Sequence, residues 1–325
     1  MDARKRLKEI EEGLYGDEDD VNLDSAKKYL EGVKGVESLL NIFEELKDMK
    51  VKGEINLYSF YQVAKKKLRY IKYGLKNIED ICPIIDGNED EIGIFISAAI
   101  NKIIKKEDEV RLNFGGRRVR FVGMYLEKGK IVIEGDIGDF VGAYMAGGEI
   151  IVKGSTGNYL GFGMHYGEII VKGNAGDYAG KCMDGGKITV EGSAGDFLGS
   201  GMIGGKITIE DNVKDYLGFE MHGGEIYIKG NAGDYAGKCM DGGKITVEGS
   251  AGNYLGSGMI GGIIIIKGNA GDYVGACMNG GKITIEGSAK AYVGYHSKGG
   301  RIEIGDNYES IHENCKAEIC LLKIS

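Results

Sequence analysis

Two histidine–aspartate pairs recur at one interval in this chain. His165 precedes Asp184 by 19 residues, and His222 precedes Asp241 by the same 19. An imidazole beside a carboxylate can hydrogen-bond and pass a proton, which is catalytic chemistry where a nucleophile stands by. No nucleophile is assigned beside either pair, so they are read as a polar surface ladder. Cys182, Cys239 and Cys277 share another recurring position, each just before a methionine. Three and two repeats separate them, about 14 and 10 Å at ordinary strand spacing. A shared metal needs bonds to sulfur of about 2.3 Å, so they are read as small buried or half-buried thiols. Cys315 and Cys320 give only a weak metal pattern and are read as structural. The glycine-rich segment from Gly161 to Gly167 resembles a phosphate loop until its context is considered. A phosphate loop needs a helix N-terminus after the glycines, and none is expected here. These residues therefore assign no catalytic, cofactor-binding or metal-ligating side chain.

The remaining candidate is an aromatic column: Phe140, Tyr159, Tyr178, Phe197, Tyr216, Tyr235, Tyr254, Tyr273 and Tyr292, again 19 apart. Each adjoins an aliphatic residue in the set Val141, Leu160, Ala179, Leu198, Leu217, Ala236, Leu255, Val274 and Val293. Adjacent residues on an extended side point oppositely, so one column faces in and the other out. The aliphatics are expected inside. The aromatics would then line an outer side for about 40 Å, and an exposed apolar stripe of that length implies a partner surface.

The element that must position these columns is written in the same beat. Methionines recur every 19 residues from Met145 to Met278, and a glycine column runs from Gly142 to Gly294. Units this short bury apolar side chains only by stacking, which predicts a solenoid. In one unit, Lys187-Ile188-Thr189-Val190-Glu191 alternates as a strand, with Ile188 and Val190 inward. Glycine-rich corners separate it from two further short sides. The expected fold is a right-handed parallel β-helix of about nine to ten coils, with strands beginning near Val110 to Leu112 and the regular repeat running from Lys130 to Arg301. An outer ladder (Glu134, Lys153, Lys172, Glu191, Glu210, Lys229, Glu248, Lys267, Glu286) mostly alternates in sign and would favour correct register. Asn174 to Ile207 nearly repeats at Asn231 to Ile264, a duplication of three coils that copies polar residues regardless of use.

Composition marks where the beat stops. Only eight of the 57 glycines precede residue 105, so residues 1–105 are read as an α-helical domain and 106–325 as the β-helix. Leu39, Leu40, Ile42, Phe43 and Leu46 recur at helical spacing, and Asp24 is placed as a helix cap. Val63 to Lys76 reads as a basic amphipathic helix with a solvated lysine face. Asp86 to Glu91 reads as an exposed linker before a last helix from Ile92 to Lys105, and Asp17 to Asp20 as a solvated turn. The net charge of -8 makes nucleic acid an unlikely partner. With no apolar stretch near the roughly 20 residues of a membrane span, no membrane partner is expected. A cytoplasmic protein with cysteines kept as thiols is expected.

The repeat Gly-Asp-Tyr/Phe-x-Gly-x-x-Met-x-Gly-Gly-x-Ile-x-Val-x-Gly, as in Gly176 to Gly192, resembles the GXGXG repeat. That family includes the β-helical subunit of formylmethanofuran dehydrogenase and the C-terminal domain of the glutamate synthase large subunit. Gly129 to Asp136 is especially similar to the formylmethanofuran dehydrogenase member. The likeness covers about residues 110–325. It implies a parallel β-helix without catalytic residues, acting as a scaffold among the protein subunits of a tungsten or molybdenum oxidoreductase of methanogenesis. Metallopterin and metal would sit in those partners, with no cofactor in this chain. The helical N-terminal third lies outside the common pattern, which leaves open a paralogue with a different partner.

Overall fold

The computed structural model describes residues 23–52, 57–305 and 307–322. Among these, twelve strands form one all-parallel sheet in chain order: β1 (Glu109–Leu112), β2 (Lys130–Ile133), β3 (Ala146–Val152), β4 (Tyr166–Val171), β5 (Lys187–Val190), β6 (Lys206–Ile209), β7 (Glu225–Ile228), β8 (Lys244–Val247), β9 (Ile263–Ile266), β10 (Lys282–Ile285), β11 (Arg301–Ile304) and β12 (Glu318–Leu321). This is the expected β-solenoid: β1 lies where strands were expected to begin, and one strand, β12, continues past Arg301. β12 escapes the sequence pattern because the spacing from β11 to β12 is 17 residues, off the 19-residue beat.

The interior is built from columns. The methionines from Met145 to Met278 and the aliphatic set from Val141 to Val293 are at most 1 % exposed. Strands β5 to β9 share one pattern, with their second and fourth residues buried. Glycine pairs stand where two walls converge before a strand. A Cβ on Gly242 would lie 2.0 Å from the His222 carbonyl, and Gly243 takes φ 80°, a conformation that side chains rarely adopt. Tyr166 replaces the first glycine of one pair, and there the register between β3 and β4 slips by a residue.

Among the described residues four helices precede the solenoid: α1 (Leu23–Val51), α2 (Leu57–Lys67), α3 (Leu75–Ile81) and α4 (Glu89–Ile103), with a 3-10 turn at Leu68–Tyr70. The first strand follows at Glu109, and the hydrophobic core runs without a break from Val36 through α4 to Ile304. Helix α4 is buried all round from Glu91 to Ile100 because it lies between the other helices and the first coil. Gly93 permits this approach: a Cβ there would sit 1.7 Å from the Arg120 carbonyl. Ser97 Oγ donates to Phe121 O at 3.0 Å and accepts from Gly123 N at 2.9 Å. Arg117 donates back into the cap, to the carbonyls of Ile85 and Cys82. The helices thus close one end of the stack, which solenoids require.

Several sequence readings change. Asp24 lies inside α1, not at its cap, because the helix already begins at Leu23. The basic segment is not one helix. It breaks after Lys67 into the 3-10 turn and an extended stretch before α3, and Lys102 donates to the carbonyls of Leu68 and Ile71 left open there. Glu89, Asp90 and Glu91 are the first turn of α4, not a linker. Asn88 caps them by accepting from Asp90 N at 3.0 Å, and acidic residues suit a helix N-terminus. The acidic run Asp17 to Asp20 lies outside the described residues.

Candidate docking surface

The aliphatic column is inside and the aromatic column outside, as expected. The aromatics are not freely exposed, however. From Phe140 to Tyr273 they are half-buried, and only Tyr292, at 47 %, is open. They bury one another. Neighbouring rings from Phe140 to Tyr292 stack at 4.6–4.9 Å with planes within 12°. The ring separation is the coil spacing, so the backbone sets the stack. Phe121 extends it below Phe140, at 4.7 Å and 8°. Stacked face to face, the rings show their edges to solvent.

The conformation that aims them has no signature in the sequence. Every ladder residue has φ between 58° and 62°, the left-handed region, which costs a side chain about 1 kcal/mol or more. Stacking returns about 0.5–1.5 kcal/mol per pair beyond simple burial. A second file leans on the ladder. Phe162 and Phe219 meet ladder rings edge-on. Lys181 lies 4.8 Å from the Tyr178 ring centre, and Lys238 4.8 Å from that of Tyr235. Burial, then the neighbouring phenols, pushes the Tyr235 hydroxyl up from its ordinary value, so it remains a donor at neutral pH.

One residue before each ring from Phe140 to Tyr273 is an Asn or Asp whose side chain holds the stack together. Asp139 Oδ1 accepts the Asn158 N–H at 2.8 Å, and the pattern climbs coil by coil to Asp272 and Ala291 N. These carboxylates are amide acceptors of the next coil. A parallel file from Asp136 through Asn269 does the same at another corner, except at Ser193, whose hydroxyl donates to Asp211 instead.

The histidine pairs form as the spacing required: His165 Nδ1 lies 2.8 Å from Asp184, and His222 Nδ1 2.8 Å from Asp241. The column just before each methionine is again left-handed, with φ 49–58° wherever it carries a side chain. That turns Cys182 and Cys277 outward and exposed, against the expectation of buried or half-buried thiols, while Cys239 is half-buried as expected. Cys182 shares its coil with Asp184, yet its thiol leans onto the following coil, 3.6 Å from where a Cβ on Gly201 would be. It leans away from the coil of His165, and no thiol–imidazole pair forms. All six cysteines are free. Among the described residues no group of three or more His, Cys, Asp and Glu side chains is placed to hold a metal ion.

The outer charge ladder closes four ion pairs, at Glu134–Lys153, Lys172–Glu191, Glu210–Lys229 and Glu248–Lys267. On the cap, Lys65, Lys66, Arg69 and Lys72 make no ion pair among the described residues, and Tyr70 among them is 83 % exposed. A charged open depression of about 520 Å³ lies where the cap meets the first coils, lined among others by Lys106, Asp108, Glu127 and Lys130. Among the described residues no helix is long and apolar enough to cross a membrane. No family profile and no curated protein sequence matches this chain.

Proposed function

We propose that this chain is a non-catalytic scaffold subunit of an oxidoreductase complex, like the GXGXG member of formylmethanofuran dehydrogenase, and that partner subunits dock along the aromatic ladder. The ladder is the observation that carries the reading. It is a straight file of ring edges at one spacing, held by the backbone and paid for in left-handed conformations at every coil. Rigid tyrosines placed in advance lose little entropy on binding, and they are enriched at interface hot spots. Their edges and hydroxyls suit a partner surface of apolar groups and carbonyl acceptors. Any metallopterin and metal would belong to those partners.

The test is affinity purification from the native host with a photo-crosslinking residue at Tyr216 or Tyr254. Co-elution of a metallopterin subunit, crosslinked at the ladder, is expected. A chain that purifies alone, or crosslinks only elsewhere, would overturn the proposal. The cations around Tyr70 that lack ion pairs among the described residues favour a second reading, a stand-alone interaction protein whose helical cap recruits a different partner. Crosslinks confined to Tyr70, to a protein without metallopterin, would favour it.

A further inference from the structure

The corner after the aromatic ladder carries a pattern the scaffold reading does not use. One outward position per coil follows each buried methionine. In coil order it holds His165, Asp184, Ile203, His222, Asp241 and Ile260. Ile203 and Ile260 are 60 % and 58 % exposed, and each histidine is bonded to the aspartate above it at 2.8 Å. About Ile203 the three-coil duplication leaves a palindrome of complements: Asp184 on one side answers His222 on the other, and His165 answers Asp241.

We infer that a second copy of this chain docks antiparallel on this corner, about a twofold axis through Ile203. A twofold interface sets one patch against itself. An axis across the solenoid at Ile203 sets this isoleucine against the partner's Ile203. Asp184 then faces the partner's His222, and His165 faces the partner's Asp241. On each side of the central isoleucines, four groups alternate imidazole and carboxylate, so no like pair meets. One step outward, the small Ala146 faces the exposed partner's Ile260. In the neighbouring file the same axis centres Gly201, sets Tyr144, 38 % exposed, over the partner's Gly258, and brings Cys182 opposite the partner's Glu220. The strip from Ala146 to Ile260 spans six coil steps, about 29 Å. Moving the axis by half a coil toward either neighbour sets an isoleucine on a histidine or an aspartate. A midpoint between His222 and Asp241 pairs isoleucines again but does not set Tyr144 over Gly258. The inference is independent of the scaffold reading, because the aromatic ladder stays uncovered.

The full chain at about 100 µM, a concentration that detects even weak dimers, should sediment as a dimer. Ile203→Arg places two cations face to face and should weaken the dimer at least ~100-fold, with circular dichroism unchanged. Ile203→Leu should keep it. Ile203→Cys, with Cys182, Cys239 and Cys277 changed to serine, should crosslink to itself on mild oxidation. A monomeric wild type, a dimer indifferent to Ile203→Arg, or a dimer in which Ile203→Cys fails to self-crosslink would each overturn the proposal.

Discussion

At the scale of the residue, each coil position answers to a local constraint that a substitution can test. The first glycine of each corner pair has backbone where its side chain would be. Gly242→Ala should cost about 2–4 kcal/mol, the range of a forced backbone shift, because its Cβ would meet the His222 carbonyl at 2.0 Å. Faster hydrogen exchange in β7 and β8, with distant strands unchanged, would show it, and unchanged exchange would contradict it. The aspartate file makes a subtler case. Asp177, Asp196, Asp215 and Asp234 stack in consecutive coils, each accepting the amide above it. Like charges opposite one another destabilise a sheet, whereas an asparagine accepts the same amide, as Asn158 and Asn253 do in this column. Asp215→Asn should therefore be neutral or stabilising by a few tenths of a kcal/mol, less so in high salt. Asp215→Ala should cost about 1–3 kcal/mol by leaving the Asp234 amide without its acceptor. Chemical denaturation of both variants at two salt concentrations separates these outcomes. The inside place of the aliphatic columns was legible from residue type, although left-handed turns, not strand alternation, set the direction of the rings. The left-handed phenylalanines and tyrosines were not, because a side chain seldom takes that conformation and nothing in its type announces it.

At the scale of the element, the strands were legible and the helices less so. A strand here repeats in nearly the same letters ten times, and any one copy confirms the next. The cap offers one copy of everything. Its basic segment has helical spacing throughout, yet it breaks after Lys67 because a distant residue, Lys102, reaches in to satisfy the carbonyls that a continuing helix would have used. A contact so far along the chain leaves no local signal. The same enclosure makes the cap sensitive to alkali. Cys82 is fully buried under α3, and burial, partly opposed by Arg117, holds its thiol far above the ordinary value of 9.0. Above pH 9 the unfolded chain has lost that proton while the folded cap keeps it. Stability contributed by the protonated thiol is whole below 9 and falls as pH rises, by up to ~1.4 kcal/mol per pH unit. The half-buried Tyr73 hydroxyl, raised from 10.0 by desolvation, adds to the loss above pH 10. Lys102, lowered from 10.5 by burial, opposes it as pH nears 10.5. Above pH 9 the helices should therefore loosen while the solenoid strands hold. Far-ultraviolet melting of the wild type against Cys82→Ala checks this, and an equal slope in both would refute it.

At the scale of the whole molecule, the two ends of the stack are unequal, and the inequality dictates how it comes apart. A solenoid is close to one-dimensional, so each coil is stabilised chiefly by its neighbours and fraying begins where a neighbour is missing. At one end α4 covers the first coil, and Val110, Leu112, Val119 and Val122 are completely buried beneath the helices. At the other end β12 has no strand beyond it among the described residues. Its residues are half-buried or exposed, with Leu321 at 55 %. Hydrogen exchange should therefore form a gradient, fastest in β12 and β11 and slowest from the middle coils to the cap. Gly93→Val is the decisive perturbation. The added side chain cannot fit against the Arg120 carbonyl, so α4 must lift from the first coil and create a second open end. In that variant β1 and β2 should exchange about as fast as β11 and β12, while β6 and β7 keep their wild-type rates. Uniform acceleration through all strands would instead mean that the coils unfold as one cooperative body, and that the cap stabilises the whole stack rather than its nearest coils.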